Sequence, residues 1–267
     1  MGDLGLTIHF LGTGSTSPNA HRDNSSLLFV MGKRAVMVDA SGYPGRKLPQ
    51  AGVGFDQLTD LILTHAHIDH IYAFPSLIAS IVSASGDKRP TLTVHARPSV
   101  LDVAWKLLAP FSEPGRTATR LQLNYLTLPQ SLYPLEIDFG AWQLSSFPVS
   151  HAGVSAIGLV LEHESGVRVV YSGDAEADNH ISQQLTDQTL CLIQDCASGM
   201  RGTPRTVGHA GAEEIKALLR TAPHPKQVIL THLSARQDPV LPDMLALLRD
   251  GFCGEVIAAY DGMRLAF

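Results

Sequence analysis

The 267 residues carry 45% hydrophobic and 17% charged side chains, which describes a folded protein with a sizeable core and excludes a disordered chain. A net charge of −5 sets a global field that repels nucleic acid rather than gathering it. Three cysteines, Cys191, Cys196 and Cys253, are too few and odd in number for a disulfide framework. No basic-then-apolar leader precedes the first strand pattern, and no apolar run approaches the roughly 20 residues of a membrane span. We therefore expect a cytoplasmic protein with no membrane partner.

In chain order, Leu6–Leu11 reads as a strand running into Gly12-Thr13-Gly14. The third glycine of a dinucleotide loop is missing, because Ser17 and Pro18 follow, so a tight turn beside a site fits better. Ser26–Val30 and Ala35–Val38 form a hairpin across Gly32-Lys33 and end on Asp39, either a turn residue or a carboxylate that orients a metal-bound imidazole. Gly and Pro mark 42–56 as a loop leading to a short turn or helix over Phe55–Thr59. Helical spacing covers Pro75–Ala84 and Pro98–Leu108, the latter with Val100, Val103, Ala104 and Leu107 on one face. The strand Thr91–His95 lies between them, and His95 is expected in a structural hydrogen bond.

Strands follow at Leu135–Phe139, Trp142–Pro148, Ala156–His163, Val167–Tyr171, Leu190–Gln194 and Gln227–Leu230, with closing strands at Ile257–Ala259 and Met263–Phe267. Helices are predicted over Ala210–Leu219, whose early Glu213 and Glu214 favour the helix dipole, and over Met244–Arg249.

The densest chemistry lies in Leu61–His70, LILTHAHIDH. An apolar strand ends on Thr64, and His65, His67, Asp69 and His70 arrive within six positions. Neutral imidazole nitrogen and ionised carboxylate are the donors that zinc or manganese takes. A sequence echo supports two halves: Asp60–His65 reads DLILTH and Gln227–His232 reads QVILTH, as if two sheets presented equivalent strand ends. Asp39, His65, His151, Asp174, Asp195 and His232 all fall at such ends.

HAHIDH, the lone His151, Gly173-Asp174 and the THLS of Thr231–Ser234, in this order, resemble the metallo-β-lactamase superfamily. The resemblance implies an α/β fold, the αββα four-layer sandwich, as a single hydrolase domain over 1–267. It also implies two divalent metal ions, zinc or manganese. His65, His67 and His151 would hold the first; Asp69, His70 and His232 would hold the second; Asp174 would bridge them. Such a pair activates a shared hydroxide, with Asp69 beside it as a catalytic group.

The opening FLGTGSTSP (Phe10–Pro18) and VGHAGAEE (Val207–Glu214) resemble the ribonuclease Z and phosphodiesterase branch. There the GH histidine, here His209, contacts phosphate or donates a proton, and Asp195 stands where its carboxylate partner is expected, as Asp rather than Glu. One hairpin fills the stretch between His151 and Asp174 where ribonuclease Z carries its tRNA-gripping arm, so no folded tRNA is expected as partner. The resemblance thus points to hydrolysis of small phosphodiesters such as cyclic nucleotides, with possible pairing into a homodimer. A lactone or carboxyl-ester hydrolase on the same metals, and an armless ribonuclease Z-type RNA 3′-end endonuclease, are the alternatives. Arg201 and Arg205 are either phosphate contacts or part of a solvated loop.

Overall fold

The computed structural model describes residues 4–111, 121–135 and 137–267. The chain forms two compact units, Met1–Gly12, Asp23–Leu128 and Asp261–Phe267 in one, Thr13–Arg22 and Pro129–Tyr260 in the other.

The first unit is built on β1 (Leu6–Gly12), β2 (Ser26–Met31), β3 (Arg34–Val38), β4 (Leu58–Ile62), β5 (Thr91–Ala96), β6 (Gln122–Thr127) and a closing β14 (Arg264–Ala266), in the order β14-β1-β2-β3-β4-β5-β6. Gly32, at φ 56, makes the tight β2–β3 turn. The parallel pairs from β3 to β6 need crossovers, which α1 (Pro44–Gln50), α2 (Ile68–Ile71), α3 (Phe74–Ala84) and α4 (Pro98–Leu108) supply. Leu61, Leu63, Val94 and Ala96 pack with Phe74, Leu77, Ile78 and Ile81 of α3 and with Val100, Ala104 and Leu108 of α4. Each large apolar side chain buried there contributes about 1.5–3 kcal/mol.

Alternation along β4 and β5 puts Asp60 and His95 on the opposite sheet face from that core. Both are buried, with His95 Nε2 2.7 Å from Asp60 Oδ1, the structural bond expected for this histidine. His95→Ala leaves a buried carboxylate without its donor and should cost about 3–5 kcal/mol. Denaturant unfolding measures this directly, and a loss under about 1 kcal/mol would refute the assigned role.

The second unit contains β7 (Tyr133–Pro134), β8 (Trp142–Val149), β9 (Ala156–His163), β10 (Arg168–Tyr171), β11 (Thr189–Asp195), β12 (Gln227–Thr231) and β13 (Glu255–Ala258), in the order β13-β12-β11-β10-β9-β8-β7. Its helices are α5 (Asn179–Ser182), α6 (Ala212–Thr221) and α7 (Leu241–Arg249). Ile215, Leu218 and Leu219 of α6 and Met244 and Leu248 of α7 cover Val170, Leu192, Val228, Leu230 and Val256 of the sheet.

The two sheets repeat one plan: antiparallel pairs from the outer edge inward, then parallel pairs to the other edge. Aligned on that plan, β4 corresponds to β11 and β5 to β12. The DLILTH and QVILTH segments therefore lie one strand out of equivalence, and the strand end matching Thr64-His65 carries Asp195, not His232. Similar apolar runs recur because both strands are buried, not because they hold equivalent places.

Four local predictions are corrected. The expected loop over 42–56 contains α1, which Pro44 opens at a position where the missing N–H costs nothing. The short turn or helix expected over Phe55–Thr59 is a turn over 55–57 only; β4 begins at Leu58, in parallel register with Ala35. On α4 the buried stripe is Val100, Ala104 and Leu108, whereas Val103 is exposed. The strand predicted over Leu135–Phe139 reduces to β7 and an isolated Phe139–Trp142 bridge, and Glu136 lies outside the described residues. Among the described residues no helix is long and apolar enough to cross a membrane.

Candidate metal centre

In the first unit the donor cluster hangs on one carboxylate. Asp39, just beyond β3, adopts the left-handed conformation (φ 61), uncommon for a non-glycine residue and typical of constrained sites. From there its carboxylate receives the Thr64 backbone N–H at 2.8 Å, the Thr64 hydroxyl at 2.8 Å and His70 Nδ1 at 2.7 Å. Burial pushes the Asp39 carboxyl up, while His70 and then Thr64 oppose that rise.

With Nδ1–H donating to Asp39, the lone pair of the His70 ring is on Nε2. Thr64 Oγ1, donating to Asp39, accepts from His65 Nδ1 at 3.1 Å and imposes the same tautomer on that ring. The short α2 turn carries Asp69 and His70 to the cluster. The His65 ring lies 4.6 Å from that of His67 and 4.2 Å from that of His70. His65, Asp69 and His70 are buried and His67 is exposed.

In the second unit, β8 delivers His151, β10 delivers Asp174, β11 ends on Asp195 and β12 delivers His232. His151 Nδ1 donates to the Gly208 carbonyl at 2.8 Å, which again puts the ring's lone pair on Nε2. Gly173, at φ 61, has no room for a side chain, since a Cβ would sit 2.5 Å from the Ile157 carbonyl oxygen. That close approach aims Asp174, whose Oδ2 is 3.2 Å from His232 Nε2.

Asp195 accepts from His209 Nδ1 at 2.6 Å and from the backbone N–H groups of Ala175 and Ala197 at 3.0 and 2.8 Å. His232, itself at φ 57, stacks on His209 with centroids 5.0 Å apart. Burial works against the charge on Asp195, yet His209 and then His232 hold its carboxyl below the usual range. Burial likewise opposes a charged His209, but Asp195 and then Asp174 outweigh it and raise its pKa.

Thr13–Ser15 is not the tight turn its glycines suggest: it runs extended, with Gly14 in an isolated parallel bridge to Leu233. Leu233 N–H donates to the Thr13 carbonyl, and Ser15 N–H to that of Leu233, so this bridge fixes the residue after His232. Arg201 and Arg205 are both exposed, and Arg205 pairs with Glu214 at 2.7 Å. Two contributors escaped sequence reasoning. Thr64 looked like the end of a strand, and Gly208 acts through its carbonyl, which no side-chain pattern reveals.

Imidazole nitrogens held in a fixed tautomer, together with neighbouring carboxylates, are donors of the kind a divalent first-row ion takes. With the metallo-β-lactamase fold around it, that chemistry defines a metal-dependent hydrolase in the ribonuclease Z and phosphodiesterase branch of the superfamily. The fold is shared with the metallo-β-lactamase fold protein YhfI from Bacillus subtilis, at TM-score 0.76 and 20% identity over 98% of this chain and 99% of that one. It is shared also with unliganded yeast PDE1, at TM-score 0.71 and 17% identity over 98% and 99%. A Ribonuclease Z of Bradyrhizobium diazoefficiens is 25% identical over 283 aligned residues, covering 87% of this chain and 91% of its own length. The chain belongs to the family described as Anti-Pycsar protein Apyc1, whose profile matches residues 6–253.

Proposed function

We propose that the chain is a dinuclear metal-dependent phosphodiesterase acting on small phosphodiesters, cyclic nucleotides or close analogues. His65, His67 and His151 would hold one ion and Asp69, His70 and His232 the other, with Asp174 serving both. Zinc suits the imidazole-rich set, and manganese is the alternative. When bound, such ions supply Lewis acidity to a phosphoryl oxygen and an acidified water as nucleophile.

The chain's own residues supply the rest. Asp39 and the Gly208 carbonyl keep His70 and His151 in the coordinating tautomer. Asp69 accepts the proton of the attacking water. His209, whose proton affinity Asp195 raises, donates to a phosphate oxygen and then delivers its proton to the leaving alkoxide, which neutralises charge as the P–O bond breaks.

The observation that carries this reading is the buried 2.6 Å His209–Asp195 bond. A shorter Asp in place of Glu still reaches the ring, which supports reading the two as the phosphate-side pair of the branch. The likeness to Ribonuclease Z and to yeast PDE1 supports phosphodiester over lactone chemistry. The acidic net charge and the single β9–β10 hairpin in place of an arm favour a small substrate over folded tRNA. Pairing into a homodimer belongs to the same proposal.

The test is one panel on zinc- and manganese-loaded protein: 3′,5′-cyclic nucleotides, bis(p-nitrophenyl) phosphate, a lactone, a thioester and a pre-tRNA. Phosphodiester kcat/KM at least tenfold above every other class is expected. A lactone or thioester that turns over faster refutes the reading, and efficient pre-tRNA cleavage would favour the ribonuclease alternative.

A further inference from the structure

The loop Thr206–Ala210 is pinned along its length. Ser198 Oγ lies 2.6 Å from the Thr206 carbonyl and 3.0 Å from that of His209. Ala210 donates its N–H to the Ala175 carbonyl, and its own carbonyl accepts from Ser198 N–H, each at 3.0 Å. Midway along the loop, Gly208 adopts φ +82 and meets the turn after His151 backbone to backbone. A Cβ at 208 would stand 2.6 Å from Ala152 N and 3.0 Å from the His151 carbonyl carbon.

That turn has little room to retreat. Ala152 is at φ 46, Gly153 is at φ 78, and Val154 N–H closes on the His151 carbonyl at 2.7 Å. At this contact the Gly208 carbonyl takes the Nδ1 proton of His151, and the next residue turns its ring to Asp195.

We propose that Gly208 is a positioning residue that sets two histidines at once. Its carbonyl locks His151 with Nε2 available to a metal ion, and the close approach only glycine allows carries His209 to its carboxylate. The inference rests on the metal-binding part of the reading above and extends it: metal affinity and the proton-donating group are fixed by one backbone contact. A side chain at 208 must widen the gap, so both histidines are disturbed together although neither is altered. Orienting contacts of this kind are worth roughly 10–100-fold in metal affinity.

The test follows imidazole nitrogens, not turnover. In 15N-labelled full-length protein at about pH 8, where an ordinary imidazole is neutral, long-range 1H–15N spectra report each tautomer, and His151→Ala assigns the signal. His151 is expected as the Nδ1–H form, with Nε2 the nitrogen that shifts on adding zinc. Gly208→Ala should bind zinc about tenfold or more weakly at one site by chelator competition and lose the downfield Nδ1 proton of His209. Gly202→Ala is the control, because Gly202 has a positive φ in open space and bears only the backbone cost.

Wild-type affinity with both signatures intact in folded Gly208→Ala overturns the proposal, as does an Nε2–H tautomer for His151 in the unaltered protein. Should Gly208→Ala fail to fold, the wild-type tautomer decides. Because these signals are independent of substrate, a protein that shows them and hydrolyses no phosphodiester refutes the phosphodiesterase reading alone.

Discussion

Asp174→Ala is expected to lower turnover of bis(p-nitrophenyl) phosphate by about a thousandfold or more and to remove at least one metal ion per chain. The carboxylate is buried, aimed by a glycine that cannot be replaced without a clash, and already 3.2 Å from a histidine of its own unit. In the proposed centre it would serve both ions. Its removal forfeits several kcal/mol of transition-state stabilisation, and each 1.36 kcal/mol is a factor of ten. Elemental analysis and kcat on the same preparation give both readouts. Chelation of the wild type should give the same loss, reversed by adding zinc or manganese. Two retained ions with more than about a tenth of the activity would exclude Asp174 as the bridge.

Asp195→Asn should shift the high-pH limb of the rate profile to lower pH and reduce kcat by about 10²–10⁴-fold. The charge of Asp195 is what raises the His209 pKa against the opposing effect of burial. An acid that must be protonated loses function as pH rises through its pKa, so lowering that pKa brings the decline earlier. Stability carries the same sign. The raised His209 contributes fully below the ordinary imidazole range, and that contribution fades as pH climbs through its folded value. Asp195, held low by His209 and His232, contributes above the ordinary carboxylate range and loses that contribution on acidification. The asparagine variant should lose both dependences. A limb that stays in place would remove His209 from the role of acid. His209→Ala should reproduce the rate loss while metal content holds, separating it from the metal ligands.

Strands were legible where burial on both faces leaves an unbroken apolar run, as at Leu190–Gln194 and Gln227–Leu230, because the run itself records the two packed faces. The hairpin over Gly32 was legible from its turn. α1 was not, since proline and glycine signal loop and the helix forms only because Leu48 is buried against the core. Parallel pairing is invisible along the chain, which hid both the start of β4 and the offset of the repeated Thr-His.

The donor types within 65–70 were plain, but their support was legible only in part. Asp39 could be suspected as an end-of-strand carboxylate. The threonine that relays it to His65, and the glycine whose carbonyl holds His151, contribute atoms or backbone shape that sequence patterns do not encode. The Asp195–His209 pairing was visible only through family resemblance, and it is geometrically sound despite the shorter side chain.

The pairing of β14 with β1 has a consequence for synthesis. Translation delivers β1 long before its outer neighbour, so the backbone groups of Ile8 and Phe10 wait for Leu265 and Met263 until the other strands of both sheets have been made. Until then that flank is a bare template able to recruit any extended chain. The nascent polypeptide thus leaves β1 unsealed until β14 is made, and ribosome stalling between the two would release a sticky product.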